Sequence, residues 1–141
     1  MNKTTCRVIF ITHDKDYHIV TQELGIKPYR CFNKGDKFTI KHPSYTGSKA
    51  FGLWEIKSQS VDSEGEGPNV SYHIKYFKEL LQNKIEVIDK LKNFYQFECV
   101  FKINIETEDA EEGFSLCQSE LSFITRIASR YESYVLTFTH S

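Results

Sequence analysis

The chain has 141 residues, of which 40% are hydrophobic and 14% aromatic. This composition predicts one packed domain spanning residues 1–141 and excludes a disordered chain. The net charge of −1 excludes a simple polyanion binder, and no apolar run approaches the roughly 18 residues of a membrane span.

The first residues of the chain and its cysteines indicate in which cellular compartment the protein is expected. No apolar signal segment precedes the first strand-like run. The four cysteines are widely spaced, without a Cys-x-x-Cys pair: Cys6, Cys31, Cys99 and Cys117. Three of them lie in apolar runs, which indicates reduced thiols in a core. We therefore expect a cytoplasmic protein that does not associate with a membrane.

The first elements are a strand and a short helix. Cys6 to Thr12 is β-branched and aromatic on both faces, which favours a central strand. Tyr17 to Leu24 predicts a helix, because Val20 and Leu24 lie four residues apart. Asp14 or Asp16 is expected to cap its first turn, and Gly25 can take the left-handed conformation that ends it.

Two further strands are predicted before the middle of the chain. Lys37 to Lys41 predicts a short edge strand, and residues 42–48 are expected to form a loop. Phe51 to Ser58 predicts a longer strand with Trp54 and Ile56 on one face. Because this segment contains the sole tryptophan, we expect Trp54 to be buried.

The second half of the chain predicts two helices and two strands. Apolar residues recur at spacings of three and four across Ser71 to Asn93, which predicts one long amphipathic helix. Phe97 to Glu106 alternates apolar and polar residues, which indicates a strand with one buried face. Ser115 to Gln118 predicts a capping box for a helix reaching about Arg130, and residues 134–138 predict a final strand.

This order of elements predicts an α+β fold. We expect a two-layer sandwich in which helices pack on one face of a mostly antiparallel, mixed sheet. The strand that begins at Phe97 is expected to be central.

His13, Asp14, Asp16 and His18 form the densest group of possible metal ligands or general bases. An ordinary strand-to-helix junction explains the same residues, since Asp caps helices and His is often exposed. The favoured interpretation is the junction, so no metal is predicted.

Motifs for catalysis are weak throughout the sequence. There is no Gly-x-Ser-x-Gly motif, and no cysteine has a neighbour that would activate it. The glycines Gly65 and Gly67 alternate with acids that would repel phosphate. We therefore expect no catalytic residue, no cofactor and no small-molecule substrate, and hence no enzyme.

The segment from Lys27 to Lys49 is basic, with six Lys or Arg residues against the single acid Asp36. Aromatic residues lie between these cations, and such a surface can stack bases and neutralise phosphates. A solvated strand edge explains the same pattern. The sequence therefore gives a nucleic-acid-binding module using residues 27–49 as the alternative function, with nucleic acid the less favoured partner.

Five acids occupy seven positions of one predicted loop: Glu106, Glu108, Asp109, Glu111 and Glu112. Most such runs are solvated. An exposed acidic cluster can also attract a basic protein and raise its association rate. We take these five residues as the candidate surface for a protein partner.

Three short motifs resemble one bacterial family, called domain of unknown function 4279. They are the Leu24-Gly25-Ile26-x-Pro28 run, the turn at Lys34-Gly35-Asp36, and the strand containing Gly52-Leu53-Trp54. The long helix, the alternating strand and the helix start at 113–116 follow in the family's order, so the resemblance covers nearly the whole chain.

The resemblance also implies a function. Some members of that family are similar to immunity proteins and are encoded beside polymorphic or contact-dependent toxins. The implied function is an immunity-type protein that binds and neutralises a cognate toxin, with a nuclease of a contact-dependent growth inhibition system as one toxin class. No catalytic residue is implied by the resemblance.

Overall fold

A computed structural model of the chain describes residues 2–63, 69–108 and 113–138. It confirms the α+β fold, with helices packed on one face of a mixed sheet. The helices are α1 (His18–Leu24), α2 (Val70–Leu81), α3 (Ile85–Asn93) and α4 (Gln118–Ile127). The strands are β1 (Asn2–Thr12), β2 (Arg30–Phe32), β3 (Lys37–Ile40), β4 (Tyr45–Ser48), β5 (Gly52–Lys57), β6 (Val61–Ser63), β7 (Glu98–Thr107) and β8 (Arg130–Thr137).

The main sheet has the strand order β2-β5-β1-β7-β8, and β6 lies beside the first residues of β1. β1 is antiparallel to β5, β6 and β7, whereas β8 is parallel to β7. The predicted central positions of β1 and β7 are confirmed. β3 and β4 form a separate two-stranded hairpin.

The core lies between the helices and one face of this sheet. Strand residues that alternate toward the helices are buried, among them Phe10, Trp54, Phe101 and Ile103. Trp54 is completely buried, as predicted, and its ring meets that of Phe10 edge to face, with centroids 5.8 Å apart. None of the helices among the described residues is both long and apolar enough to cross a bilayer.

Helix α1 begins and ends close to the predicted positions. Gly25 takes φ 68° and its amide donates to the Thr21 carbonyl, so the left-handed cap is confirmed. Asp16 lies just before the helix, where its carboxylate accepts from the His18 amide at 2.8 Å. That hydrogen bond holds the pKa of Asp16 below its ordinary value.

The long helix predicted for 71–93 is wrong as one element. A 3-10 turn over Gln82–Lys84 separates α2 from α3. The apolar stripe continues across this turn through the buried Leu81 and Ile88. Spacing alone therefore could not reveal the break, because both helices bury residues of the same stripe.

Three other boundaries differ from the prediction. Residues 45–48 form strand β4 rather than a loop, since they pair with β3. Helix α4 begins after Cys117, whose amide donates to the Glu120 carboxylate at 2.9 Å, so the cap at Ser115 is wrong. A carboxylate accepts this bond more strongly than the Gln118 amide would. The helix ends at Ile127, and Arg130 begins β8.

A buried polar network joins α2 to the sheet. His73 is completely buried, and its Nδ1 lies 2.6 Å from the Ser58 hydroxyl. That hydroxyl in turn accepts from the Cys6 amide at 2.9 Å. Burial lowers the pKa of His73, while the nearby main chain of Thr4 opposes part of the change. The imidazole is therefore neutral in the folded protein near pH 7.

This network predicts acid sensitivity. The unfolded chain takes up a proton on His73 near pH 6.5, whereas the folded chain does so only at lower pH. The free energy of unfolding should therefore have its full value above pH 6.5. It should decrease as the pH falls below 6.5, by at most about 1.4 kcal/mol per pH unit. Urea titrations at pH 7.5, 6.5 and 5.5 measure this slope.

The control for this prediction compares two histidines. His73→Gln should flatten the slope between pH 7.5 and 5.5, whatever its effect on stability at pH 7.5. His13→Asn removes an exposed imidazole and should leave the slope unchanged. A slope that survives in His73→Gln would assign the acid sensitivity to other groups.

Candidate binding surfaces on the open sheet face and beside α2

The face of the sheet opposite the helices is divided. Around Ile9, Leu53 and Val100 it carries a small buried apolar cluster, and beside that cluster it is polar. Alternation along β1 places Lys3, Thr5 and Arg7 on this open face, while Cys6 and Val8 face the helices. Lys102, Asn104 and Glu106 of β7 lie on the same side, opposite Arg7, Thr5 and Lys3 of β1. The helices cover one face of the sheet, as predicted, but Val100 is buried on the other face, so the predicted polar face of β7 is confirmed only from Lys102 onward.

Three cations lie in one row across this face. Arg7 of β1 is directly opposite Lys57 of β5 and directly opposite Lys102 of β7. Side chains at such positions have Cβ atoms about 4.5–5.5 Å apart, and like charges there destabilise a sheet. The row therefore concentrates positive charge on three adjacent strands.

Glu55 partly compensates this charge. Its carboxylate is completely buried, 3.0 Å from Arg7 Nη1 and 3.5 Å from Arg30 Nη2. Neither Lys57 nor Lys102 forms an ion pair within the part of the chain that the structure describes. Each instead places its Nζ over an exposed tyrosine ring, Lys57 over Tyr29 at 4.5 Å and Lys102 over Tyr134 at 4.7 Å.

A cavity of about 380 Å³ opens beside the row of cations. Four cations line it, and among the described residues that line it the one acid is Glu106. The neutral side chains of Thr5, Ser60 and Asn104 lie between them, and the Thr5 and Ser60 hydroxyl oxygens are 2.7 Å apart. The cavity therefore combines hydrogen-bonding groups with excess positive charge.

A second concave surface lies between β5 and α2, and we call it the tyrosine groove. It is lined by Tyr29, Tyr72 and Tyr76, with volumes of about 310 Å³ and 220 Å³ at its two ends. These tyrosines are 58%, 51% and 43% exposed. Lys57 lines both ends and also the cavity, so it separates the two surfaces.

Two tyrosines of the groove are held by buried neighbours. Tyr72 and Tyr76 lie one turn apart on α2, next in sequence to the buried His73 and Phe77. Their rings contact those neighbours edge to face, with centroid distances of 5.3 Å and 5.1 Å. Rigid exposed aromatic rings of this kind are typical of binding surfaces.

The predicted acidic surface is described only in part. Glu106 is exposed at the end of β7, directly opposite Lys3 of β1, and it lines the cavity. Glu108 follows the strand and is exposed. Asp109, Glu111 and Glu112 lie outside the described residues, so the partner surface proposed for this loop stays a prediction.

The residues of the strand-to-helix junction are close in space but differ in orientation. His18 Nδ1 lies 2.7 Å from Asp16 Oδ1, and the His18 ring stacks on Tyr17 at 4.2 Å between centroids. Asp14 contacts Thr12 instead, at 3.4 Å. Within residues 2–63, 69–108 and 113–138, no group of three or more His, Cys, Asp or Glu could hold a metal ion.

The cysteines are all free, and two of them are poor nucleophiles. Cys6 and Cys99 are buried, and burial raises the pKa of each thiol to about 12. Cys31 is half-buried, and Cys117 is exposed beside the first turn of α4. The expected core positions are therefore correct for Cys6 and Cys99.

The basic segment 27–49 does not form one surface. Arg30 lies on the open sheet face against Glu55, whereas Lys27 lines the tyrosine groove. Lys49 lies over the rings of Phe32 and Phe38, at 4.3 Å and 4.8 Å. The alternative nucleic-acid role of this segment stays a prediction.

The row of Lys57, Arg7 and Lys102 was missed from the sequence, because its members are 45 or more positions apart. One signal was present. Lys3, Thr5 and Arg7 alternate with Thr4, Cys6 and Val8, which predicts that the first half of β1 has a polar face. Which strands lie beside β1, and in which register, is determined only by the tertiary structure.

Comparison with known proteins identifies the family. Neither the curated proteins nor the solved structures gave a match. Residues 2–132 match the family described as Domain of unknown function (DUF4279). The match includes β1, the tyrosine groove, the row of cations and the first residues of β8. The chain therefore belongs to the DUF4279 family.

Proposed function

We propose that this chain is a cytoplasmic immunity-type protein that binds and neutralises a cognate toxin domain. The observation that supports a protein partner is the tyrosine groove, in which three rings are half-exposed and two of them, Tyr72 and Tyr76, contact buried rings. The choice of a toxin as the partner comes from the similarity of some family members to immunity proteins. A nuclease of a contact-dependent inhibition system is the toxin class that we propose.

The groove has the composition of an interaction hot spot. Tyrosine, tryptophan and arginine carry most of the binding energy at protein interfaces, because they bury large areas with few rotatable bonds. The pyrrolidine of Pro28 and the side chain of Leu80 add apolar surface at one end of the groove. Lys27 and Lys57 flank it, which suits the polar rim of such an interface.

The acidic loop serves a different step in this proposal. A nuclease cleft is basic because it holds phosphates, and the loop that begins after β7 presents carboxylates to it. Rim charges act mainly on the association rate, whereas buried aromatic anchors act mainly on dissociation. We therefore assign initial attraction to the acidic loop and retention of the complex to the tyrosine groove.

The first experiment is growth rescue. The product of the reading frame immediately upstream, which this proposal expects to contain a toxin domain, is expressed alone and then together with the chain. We expect growth to stop in the first case and to recover in the second. If no neighbouring domain inhibits growth, or if the chain does not relieve the inhibition, the immunity function is wrong.

The second experiment separates the two surfaces by binding kinetics at two salt concentrations. Replacing Tyr29, Tyr72 and Tyr76 with Ser should weaken binding by at least about a hundredfold through faster dissociation, since hot-spot residues contribute at least about 2 kcal/mol each. Replacing Glu108, Asp109, Glu111 and Glu112 with Ser should slow association and reduce its dependence on salt.

Phe94→Ser is the matched control, because Phe94 is 71% exposed but does not line the groove. It should leave both rate constants unchanged. Full affinity in the tyrosine variant would place the interface elsewhere. An unchanged salt dependence in the acidic-loop variant would make that loop solvated surface.

A further inference from the structure

We propose that the cavity on the open sheet face is a binding site for a small anion that carries phosphate groups. This anion site is separate from the proposed toxin-binding surface, since three of its four cations do not line the tyrosine groove. The site consists of a row of cations at its upper edge, a floor of neutral hydrogen-bonding groups, and Lys3 at the opposite edge.

The row of cations supports an anion site because its three positive charges lie close together. Lys57, Arg7 and Lys102 lie directly opposite one another on adjacent strands, an arrangement that destabilises the sheet when no counter-charge is present. Glu55 is bonded to the two arginines, Arg7 and Arg30, and not to the lysines. Glu132 of β8 is directly opposite Lys102, but its carboxylate is bonded to Arg130 and Tyr134. A bound dianion would relieve the remaining repulsion between the lysines and Arg7, and this relief would appear as binding energy.

Glu55 occupies only some of the hydrogen-bond donors of Arg7. Its Nη1 donates to Glu55, but its Nε is buried and has no hydrogen-bond partner within the described residues. A buried guanidinium NH without a partner is unfavourable. Guanidinium groups bind phosphate through paired, charge-assisted hydrogen bonds, and Arg7 lines the cavity, so its side chain suits an oxyanion.

The floor of the cavity provides the neutral contacts that an oxyanion needs. Thr5, Asn104 and Tyr134 occupy the next row of the sheet, with Thr5 opposite Asn104 and Asn104 opposite Tyr134. The Asn104 amide can donate to a phosphate oxygen, and so can whichever hydroxyl of the Thr5–Ser60 pair has a proton to spare. The Tyr134 hydroxyl donates to Glu132 instead, so Tyr134 contributes its ring to the floor. The cations therefore supply attraction, and this row supplies orientation.

Charge and size define the ligand class. The described lining contains Lys3, Arg7, Lys57 and Lys102 against Glu106, an excess of three positive charges. The volume of about 380 Å³ lies at the lower end of the range for small-molecule sites, which is about 300–1,000 Å³. A pyrophosphate or a small phosphate ester matches both the charge and the size, and pyrophosphate is the simplest probe.

The experiment is a titration followed by amide NMR at constant ionic strength. Pyrophosphate should shift the signals of Thr5, Asn104 and Lys102 in a saturable manner, and inorganic phosphate should do so more weakly. Chloride added to the same ionic strength should shift none of them. Saturable shifts confined to these residues support the site, and shifts equal to those in chloride overturn it.

Charge-neutral variants test which cations hold the anion. Lys102→Gln and Lys57→Gln should each weaken pyrophosphate binding by at least about tenfold, since each removes a charge-assisted hydrogen bond. Lys75→Gln is the matched control, because Lys75 is exposed on α2 and does not line the cavity. An equal loss in the control would show that only net charge matters, and the proposed site would be wrong.

One further arm distinguishes a small anion from a polymer. A single-stranded oligonucleotide of about ten residues is titrated under the same conditions. If it shifts the floor residues while pyrophosphate does not, the cavity is part of a nucleic-acid surface and the small-anion proposal fails. If the floor signals respond to pyrophosphate and the growth-rescue experiment fails, the anion site stands without the toxin-binding role.

Discussion

Replacing Trp54 with alanine should lower the free energy of unfolding by about 3–5 kcal/mol. The side chain is completely buried, and its ring contacts Phe10 edge to face. Its Nε1 donates to the Thr21 hydroxyl at 2.9 Å, which connects the sheet to α1. The substitution therefore removes packing and hydrogen bonding in one step, and a loss of this size is a large part of a domain's stability.

Urea denaturation of Trp54→Ala and of three further variants measures the separate contributions of packing and of the hydrogen bond. Thr21→Val removes the hydroxyl and should lower the free energy of unfolding by about 0.5–1.5 kcal/mol. Trp54→Phe keeps much of the ring and should fall between this value and that of Trp54→Ala. Phe94→Ala removes an exposed ring and should change stability by less than about 0.5 kcal/mol. An unaltered midpoint in Trp54→Ala would contradict the buried position.

Trp54 also shows what local sequence can predict. Gly25, Pro28 and the alternation around Trp54 determine local backbone geometry, and the cap at Gly25 and the buried face of β5 agree with the prediction. β7 is similar, because the alternation from Phe101 to Glu106 indicates one buried face. Elements of this kind are predictable since the decisive neighbours lie within a few residues.

The candidate sites depend on neighbours that are distant in sequence. Arg7 lies beside Lys57 and Lys102 only because β1 pairs with β5 and β7 in particular registers. A shift of one residue in either pairing would turn these side chains to the opposite face. The tyrosine groove likewise joins Tyr29 to a turn of α2 more than forty residues away. Local patterns contain no information on such pairings.

Short elements were missed for a different reason. β2 has three residues, too few for a periodicity to be recognised. Its pairing with β5 nevertheless places Arg30 opposite Glu55. Nothing in the local sequence distinguishes Glu55 from the other residues of the predicted strand, although the structure buries its carboxylate completely between two arginines.

Replacing Glu55 with glutamine should have the second large effect. Removal of one partner from a buried ion pair typically lowers stability by about 3–5 kcal/mol, and we expect about 3 kcal/mol because Arg7 and Arg30 keep contact with water. Glutamine preserves the shape of the side chain. The loss would therefore report the missing charge rather than a cavity.

The dependence of stability on salt concentration should distinguish two effects of Glu55→Gln, the repulsion between the remaining cations and the loss of hydrogen bonds. Without Glu55, the row of Lys57, Arg7 and Lys102 has no buried counter-charge, and screening by salt reduces such repulsion. The destabilisation by Glu55→Gln should thus be smaller in 0.5 M than in 0.05 M sodium chloride, as measured by thermal unfolding. Glu79→Gln, at an exposed position of α2, is the charge-matched control and should change little in either buffer.

A second substitution on the same face completes the test. The double variant Glu55→Gln/Arg7→Gln has one cation fewer on this face, so less repulsion remains. Its free energy of unfolding should therefore exceed the value expected from adding the two single losses by about 0.5–3 kcal/mol. Additive losses, together with a penalty that is equal in both salt concentrations, would mean that Glu55 acts through packing alone. Coupling would instead establish that the buried carboxylate of Glu55 stabilises the sheet by offsetting the repulsion within the row of Lys57, Arg7 and Lys102.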